Sequence, residues 1–213
     1  MVETRDRTNR KLAGVLVPVF SIRGKNDLGV GDVAGLTEFI NFASEVGFGF
    51  VQLLPINETG PDNSPYNAIS SVAIEPMTLD CTPVGLEDLS VEDSFAVLAD
   101  YELESLNSGN VQYEAVRKLK RALLEKAYES FLANVHGHND IRAREFESFC
   151  VREAEWLNDY CIFRLLMDRE GGGHVWQNWP EEFRCKESAA KRLGKKTSQK
   201  ALSQRNKKLM YYA

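Results

Sequence analysis

Apolar residues along this chain follow two rhythms. Ala13-Gly14-Val15-Leu16-Val17-Pro18-Val19-Phe20 is a near-continuous apolar run of strand length. That is the pattern of a strand buried on both faces, as in parallel sheets. SIRGKNDLGVGD follows, a Gly-rich loop ending in Asp32, a good helix N-cap. Behind it Val33, Leu36, Phe39, Ile40, Ala43 and Val46 recur at three- and four-residue steps, which predicts a helix with one apolar face. Gly47 fits the stop. Phe48 to Pro55 is a second strand-length apolar run. Residues 13–55 therefore predict strand, helix, strand, the βαβ unit of parallel α/β folds.

The alternation then stops. INETGPDNSPYN, residues 56–67, has the Gly, Pro, Asp and Asn content of a loop. SSVAIEPMTLDCTPVG after it is weakly patterned, with room for one short strand. From about Leu86 the rhythm is helical. Tyr113, Val116, Leu119, Leu123, Ala127 and Phe131 make one face. Phe146, Phe149, Cys150, Trp156, Leu157, Tyr160, Phe163 and Leu166 make a longer one, which Gly171-Gly172-Gly173 ends. A last, basic helix is expected from near Glu181 to Ala213, and residues 1–12 are expected to be a disordered end. Two parallel strands and one crossover helix leave open sheet edges. Either there are more strands than the pattern shows, or this is the first part of a larger α/β domain followed by a mostly helical stretch.

Composition narrows the function classes. With 213 residues, 43% hydrophobic and 27% charged, the chain is globular. A net charge of −5 argues against a nucleic-acid binder, although the residues from Arg184 onward carry +9 and the rest −14. A solvated helix face is the reading for that basic tail. Cys81, Cys150, Cys161 and Cys185 form no CxxC pair and read as structural thiols in a reducing compartment. His136 and His138 form an H-x-H without a third ligand and read as an exposed loop. No apolar run reaches about 18 residues, so no membrane span is expected. A cytoplasmic location, with no metal or cofactor, is the expectation.

The chemistry concentrates in the loop after the second strand. In a (β/α)8 barrel the loops at the C-terminal strand ends build the active site. Pro65 fixes its φ, and Asn63 and Ser64 supply turn hydrogen bonds, so Tyr66 has few accessible conformations. Its ring can stack on the C–H face of a sugar while its hydroxyl bonds a sugar hydroxyl; the alternative is a ring packed under its own loop. Trp176 and Trp179 could also stack on sugar, with core packing the favoured reading. Asp27 and Glu58 read as solvated and Asp32 as a cap.

The stretch VPVFSIRGKNDLGVGDVAGLTEFINFASEVGFGFVQLLPINETGPDNSPYNAISSVAIEP resembles the N-terminal signature of the 4-α-glucanotransferases, the amylomaltase or disproportionating-enzyme family (glycoside hydrolase family 77). The VPVFSIR and LLPINET wording is especially similar to the type 2 disproportionating enzyme. REAEWLNDYCIFRLLMDREGGGHVWQNWPEEFR resembles the family's helical region.

The resemblance implies a start of a (β/α)8 TIM barrel in residues 13–84, interrupted by the helical insertion 85–213. It implies Tyr66 as a ring lining the sugar subsite at the cleaved bond, with Ser64 beside it. It implies transfer of α-1,4-linked glucosyl or maltosyl units, with maltose, maltooligosaccharides or glucan as partners, and a non-catalytic sugar-binding or regulatory remnant as the alternative. Two departures stand out. Many amylomaltases have Thr-Gly-Tyr where this chain has Thr59-Gly60-Pro61, and Pro61 cannot replace that glucan-contacting ring. Retaining transfer also needs two carboxyl groups about 5 Å apart across the bond. In the family these lie on later strands, and none of the 31 Asp and Glu residues here matches their motifs. The chain is therefore expected to be inactive alone, with the missing C-terminal part of the barrel a possible partner.

Overall fold

The computed structural model describes residues 11–135, 141–189, 208 and 210–212. The expected βαβ unit is present. Gly14–Val17 (β1) and Phe50–Leu53 (β2) pair in parallel, Gly14 opposite Phe50 and Val17 opposite Leu53. The Val33–Glu45 helix (α1) connects them. Asp32 caps it, its Oδ1 accepting from Gly35 N at 3.1 Å. Gly47, at φ 88°, turns the chain out of it.

Two expectations for this unit are corrected. The strands are four residues each, and Val19–Ser21 coils into a 3-10 turn just past Pro18, which has no N–H to offer a ladder. Nor is either strand buried on both faces: Leu16 is 55% exposed and Phe50 47%. The α1 stripe behaves alike, with Ala43 buried but Val33, Ile40 and Val46 exposed. An apolar stripe is buried only where another layer covers it, and the sheet among the described residues has two strands.

The helical part closes its own core. Val91–Leu98 (α2) starts at Ser90, whose Oγ accepts from Asp93 N at 3.0 Å. Leu103–Leu106 (α3) leads into Tyr113–Val135 (α4). On α4, Val116, Leu119, Leu123 and Ala127 are fully buried and Phe131 nearly so, the face that the sequence predicts. Leu119, Leu123 and Ala127 pack with Leu28, Cys81, Leu89 and Leu106, and Val116 meets Val30 and Met77.

The expected single helix over Phe146–Leu166 is two, Ile141–Arg152 (α5) and Ala154–Arg169 (α6). The interruption is one residue. Leu157 N still donates to Glu153 O, while the Glu153 carboxylate is drawn to Arg152 Nε and the Trp156 indole at 2.8 and 2.7 Å. Gly171 and Gly172, at φ 72° and 87°, end α6 as expected. No helix begins at Glu181. Glu181–Phe183 is a 3-10 turn that drives Phe183 into a cluster with Leu166, Met167 and Trp179, and residues 186–189 are helical. The readings for residues 1–10, His136 and His138, and the tail stretch 191–200 lie outside the described residues. No helix among the described residues is long and apolar enough to cross a membrane.

α4 docks directly on the βαβ loops. Gly29 sits at φ 90°, and a Cβ there would lie 3.0 Å from a Val116 methyl, so the glycine permits the close approach. One turn on, the Lys120 side chain is 1% exposed; its Nζ donates to Leu79 O at 2.7 Å and pairs with Asp32 at 3.3 Å. Asp32 thus caps α1 and anchors α4.

Candidate functional site

The segment after β2 folds back on itself. Asn57 bridges to Ile74 and Thr59 to Ala68, both antiparallel. Glu58 N donates to Ala73 O at 2.9 Å, and Ile69 N to Glu58 O at 2.8 Å. The tip is two consecutive turns, closed by Asn63 N to Gly60 O at 3.1 Å and Asn67 N to Ser64 O at 3.0 Å. The Asp62 carboxylate accepts from Asn67 Nδ2 at 2.8 Å and from Ser64 N at 3.3 Å. These two bonds, Asn67 first, hold its pKa below the usual carboxylate value. Asn63 is the one non-glycine residue at positive φ among the described residues, at 56°. Asparagine tolerates this left-handed conformation better than other side chains.

The two residues singled out from sequence both lie on this tip. Ser64 is half-buried and part of the turn hydrogen bonding. Tyr66 is 76% exposed, so its ring does not pack under its own loop. Pro65, between them, fixes its own φ and faces the interior beside Phe20 and Tyr113.

The solvated reading of two carboxylates is corrected. Glu58 is 5% exposed. It accepts from Tyr160 OH at 2.5 Å and pairs with Arg164 at 3.3 Å, both on α6. Burial pushes its pKa up; Arg164 and Tyr160 pull it back only in part. Asp27 is buried too, because four donors converge on it. Arg23 binds it twice at 2.9 Å, and Gly24 N and Gly29 N donate at 2.7 and 3.0 Å. Burial alone would raise its pKa, but these bonds outweigh it and leave the carboxyl below its ordinary value. A third carboxylate, Glu75, braces the loop from behind, accepting from Thr59 N and Thr59 Oγ1 at 2.9 Å each.

The helices hold the tip as well as its base. Arg117 Nη2 on α4 donates to Asn63 Oδ1 at 2.8 Å. A cavity of about 350 Å³ lies behind the loop, lined by Glu58, Pro61, Arg117, Arg121, Arg164 and Asp168 among others. Arg164 Nε and Tyr212 OH, which also border it, are buried without a hydrogen-bond partner. Ser64 and Tyr66 do not line it. Trp179 is 4% exposed and packs on Phe163 in the core, whereas Trp176 is 47% exposed. Burial pushes the Cys81 and Cys161 thiols up to about 12, which suits inert structural cysteines.

Arg117 and Arg164 carry no sequence signal of their own, and Tyr160 signals only an apolar helix face. Arg117 is 54 residues from Asn63, and Tyr160 is 102 from Glu58. A buried acid in a loop requires a partner, but nothing local names it.

Known proteins resemble this chain in sequence and in fold. The profile of the glycoside hydrolase 77 family, described as 4-alpha-glucanotransferase, matches residues 17–212. The chain is 34% identical over 176 residues to a 4-alpha-glucanotransferase of Chlamydia pneumoniae, covering 82% of this chain and 32% of that protein. It is 34% identical over 167 residues to the 4-alpha-glucanotransferase DPE2 of Oryza sativa subsp. japonica, covering 73% and 16%. Among solved structures, the amylomaltase from Streptococcus agalactiae in complex with acarbose superposes with a TM-score of 0.72 at 26% identity, covering 95% of this chain and 38% of that one. The chain spans a third or less of the length of these curated relatives. With a family profile matched from β1 through the helical part, the chain belongs to the 4-alpha-glucanotransferase family, glycoside hydrolase 77.

Proposed function

We propose that this chain is the N-terminal portion of a 4-α-glucanotransferase and supplies one wall of its sugar site. β1, α1 and β2 are the start of a TIM barrel in residues 13–84, and residues 85–213 are the helical insertion. The whole enzyme transfers α-1,4-linked glucosyl or maltosyl units between glucans, or from maltose to an acceptor, with retention, in the cytoplasm. This chain contributes Ser64 and Tyr66 and no catalytic carboxylate, so it is inactive alone; the rest of the barrel is its natural partner. The single observation that carries this reading is the position of Tyr66. It is 76% exposed on a hydrogen-bonded double turn that follows the C-terminal end of a parallel strand. Active-site loops of parallel barrels lie at that end, and an exposed phenol ring combines an apolar face with a hydrogen-bonding tip. The acarbose complex of the structurally similar amylomaltase supports a maltooligosaccharide as the ligand class. Purified chain incubated with maltotriose tests the reading. Saturable binding without release of glucose or longer glucans is expected, and binding is lost in Tyr66→Ala. Clear turnover by the chain alone refutes the absence of its carboxylates.

A non-catalytic maltooligosaccharide-binding remnant is the second reading. It is favoured by the closed core around α4, where Leu119 and Leu123 are fully buried. It predicts a cooperative thermal transition of the isolated chain; a non-cooperative melt rejects it.

A further inference from the structure

We propose that Arg117 is a positioning residue for the sugar-contact loop, holding the left-handed turn at Asn63 that presents Ser64-Pro65-Tyr66. The proposal rests on the sugar-site reading for its consequence and on geometry for its mechanism. A non-glycine residue at φ 56° costs free energy that its surroundings must offset. Here the offset is side-chain bonding: Asn63 Oδ1 accepts from Arg117 Nη2 at 2.8 Å, while its Nδ2 donates to Pro61 O at 3.3 Å. The helix turn that carries the guanidinium is itself held in place. Val116, its neighbour, is fully buried against Val30 and Met77, and Lys120, one turn on, is locked between Leu79 O and Asp32. The helix turn bearing Arg117 is therefore pinned on both sides, and an arginine extending from it has a defined reach.

The consequence is that the tip's conformation is set by α4. Next in chain, Ser64 N bonds Asp62 and Ser64 O bonds Asn67 N, so a change at Asn63 passes directly to the turn bearing Tyr66. Glu58 with Tyr160 and Arg164 fixes the base of the loop. Arg117 is the matching hold at its tip.

The 213-residue chain carrying Arg117→Ala, Arg117→Lys, Asn63→Gly and the Asn63→Gly, Arg117→Ala pair tests this by amide hydrogen exchange over residues 61–67, beside maltotriose affinity. Losing the Arg117 bond in a folded chain raises exchange across 61–67 by about tenfold and weakens maltotriose binding by a similar factor. Arg117→Lys, which keeps a donor, recovers part of the protection. Asn63→Gly adopts the positive φ freely but has no side-chain carbonyl for Arg117, so adding Arg117→Ala to it changes exchange no further. Unchanged exchange in folded Arg117→Ala, or full additivity in the pair, overturns the proposal. Should Arg117→Ala fail to fold, the Asn63→Gly and Arg117→Lys variants decide it: native protection at 61–67 in both refutes the hold. If the parent chain does not bind maltotriose, the sugar-site reading falls, while the exchange data still decide whether Arg117 sets the turn.

Discussion

The βαβ unit and the helical part treat apolar residues in opposite ways. In the first, Leu16, Ile40, Val46 and Phe50 are each about half exposed. In the second, Leu119, Leu123 and Leu157 are wholly buried. Sequence pattern does not account for this, since α1 is more apolar and more one-sided than α4 or α6. The difference is what stands opposite. α4 finds α2, the loop around Leu28 and the segment near Cys81 within this chain. α1 and the outer faces of β1 and β2 find nothing comparable among the described residues. Periodicity reports which face is apolar; whether that face is covered depends on elements elsewhere. That the chain covers a third or less of its curated relatives gives the open face of the βαβ unit an intelligible role.

The largest effect expected from this contrast is at Lys120. Its side chain is 1% exposed and its partner Asp32 6%. Lys120→Ala strands a buried carboxylate and separates α4 from the βαβ loops, so urea unfolding is expected to show a loss of about 3–5 kcal/mol. Leu123→Ala follows at about 2–5 kcal/mol, because it opens a cavity in a closed core. Ile40→Ala on the open α1 stripe should lie within about 0.5 kcal/mol of the parent. Equal losses at Leu123 and Ile40 would mean that the α1 face is covered after all, and would break the comparison.

A smaller effect is expected in pH dependence. Glu58 has a folded-state pKa raised by burial, so the folded chain holds its proton more tightly than the unfolded one. Its contribution is fully present below the ordinary glutamate value and is lost as pH rises through the folded value. Asp62 is shifted the other way by Asn67 and Ser64, so its contribution is present at neutral pH and lost as pH falls through the lowered value. Glu58→Gln should therefore flatten the decline in stability just above the ordinary glutamate value. An unaltered slope would show that Glu58 does not titrate in that window.

Much of this was legible in sequence. The parallel pair, the Asp32 cap, the α4 face and the Gly171-Gly172 stop follow from local pattern. The limits were physical. Pro18 ended β1 earlier than its apolar run suggested. No Gly or Pro marks the break at Glu153, which depends on how its carboxylate divides between Arg152 and Trp156. Asp27 could have been paired with Arg23 from their four-residue spacing. Glu58 could not, since Tyr160 and Arg164 are brought to it only by the fold. At the loop tip, Ser64-Pro65-Tyr66 marked a stiff turn but left open whether the Tyr66 ring is exposed or packed under its loop, and the arginine behind Asn63 was not legible.

The most direct measurement is a maltotriose titration of the intact chain and of Tyr66→Ala, followed by heat of binding. At 76% exposure the substitution should leave stability within about 0.5 kcal/mol, so any change in binding reports the site and not the fold. The account predicts saturable binding by the parent chain and its loss in Tyr66→Ala; equal binding by both, or none by the parent, contradicts it.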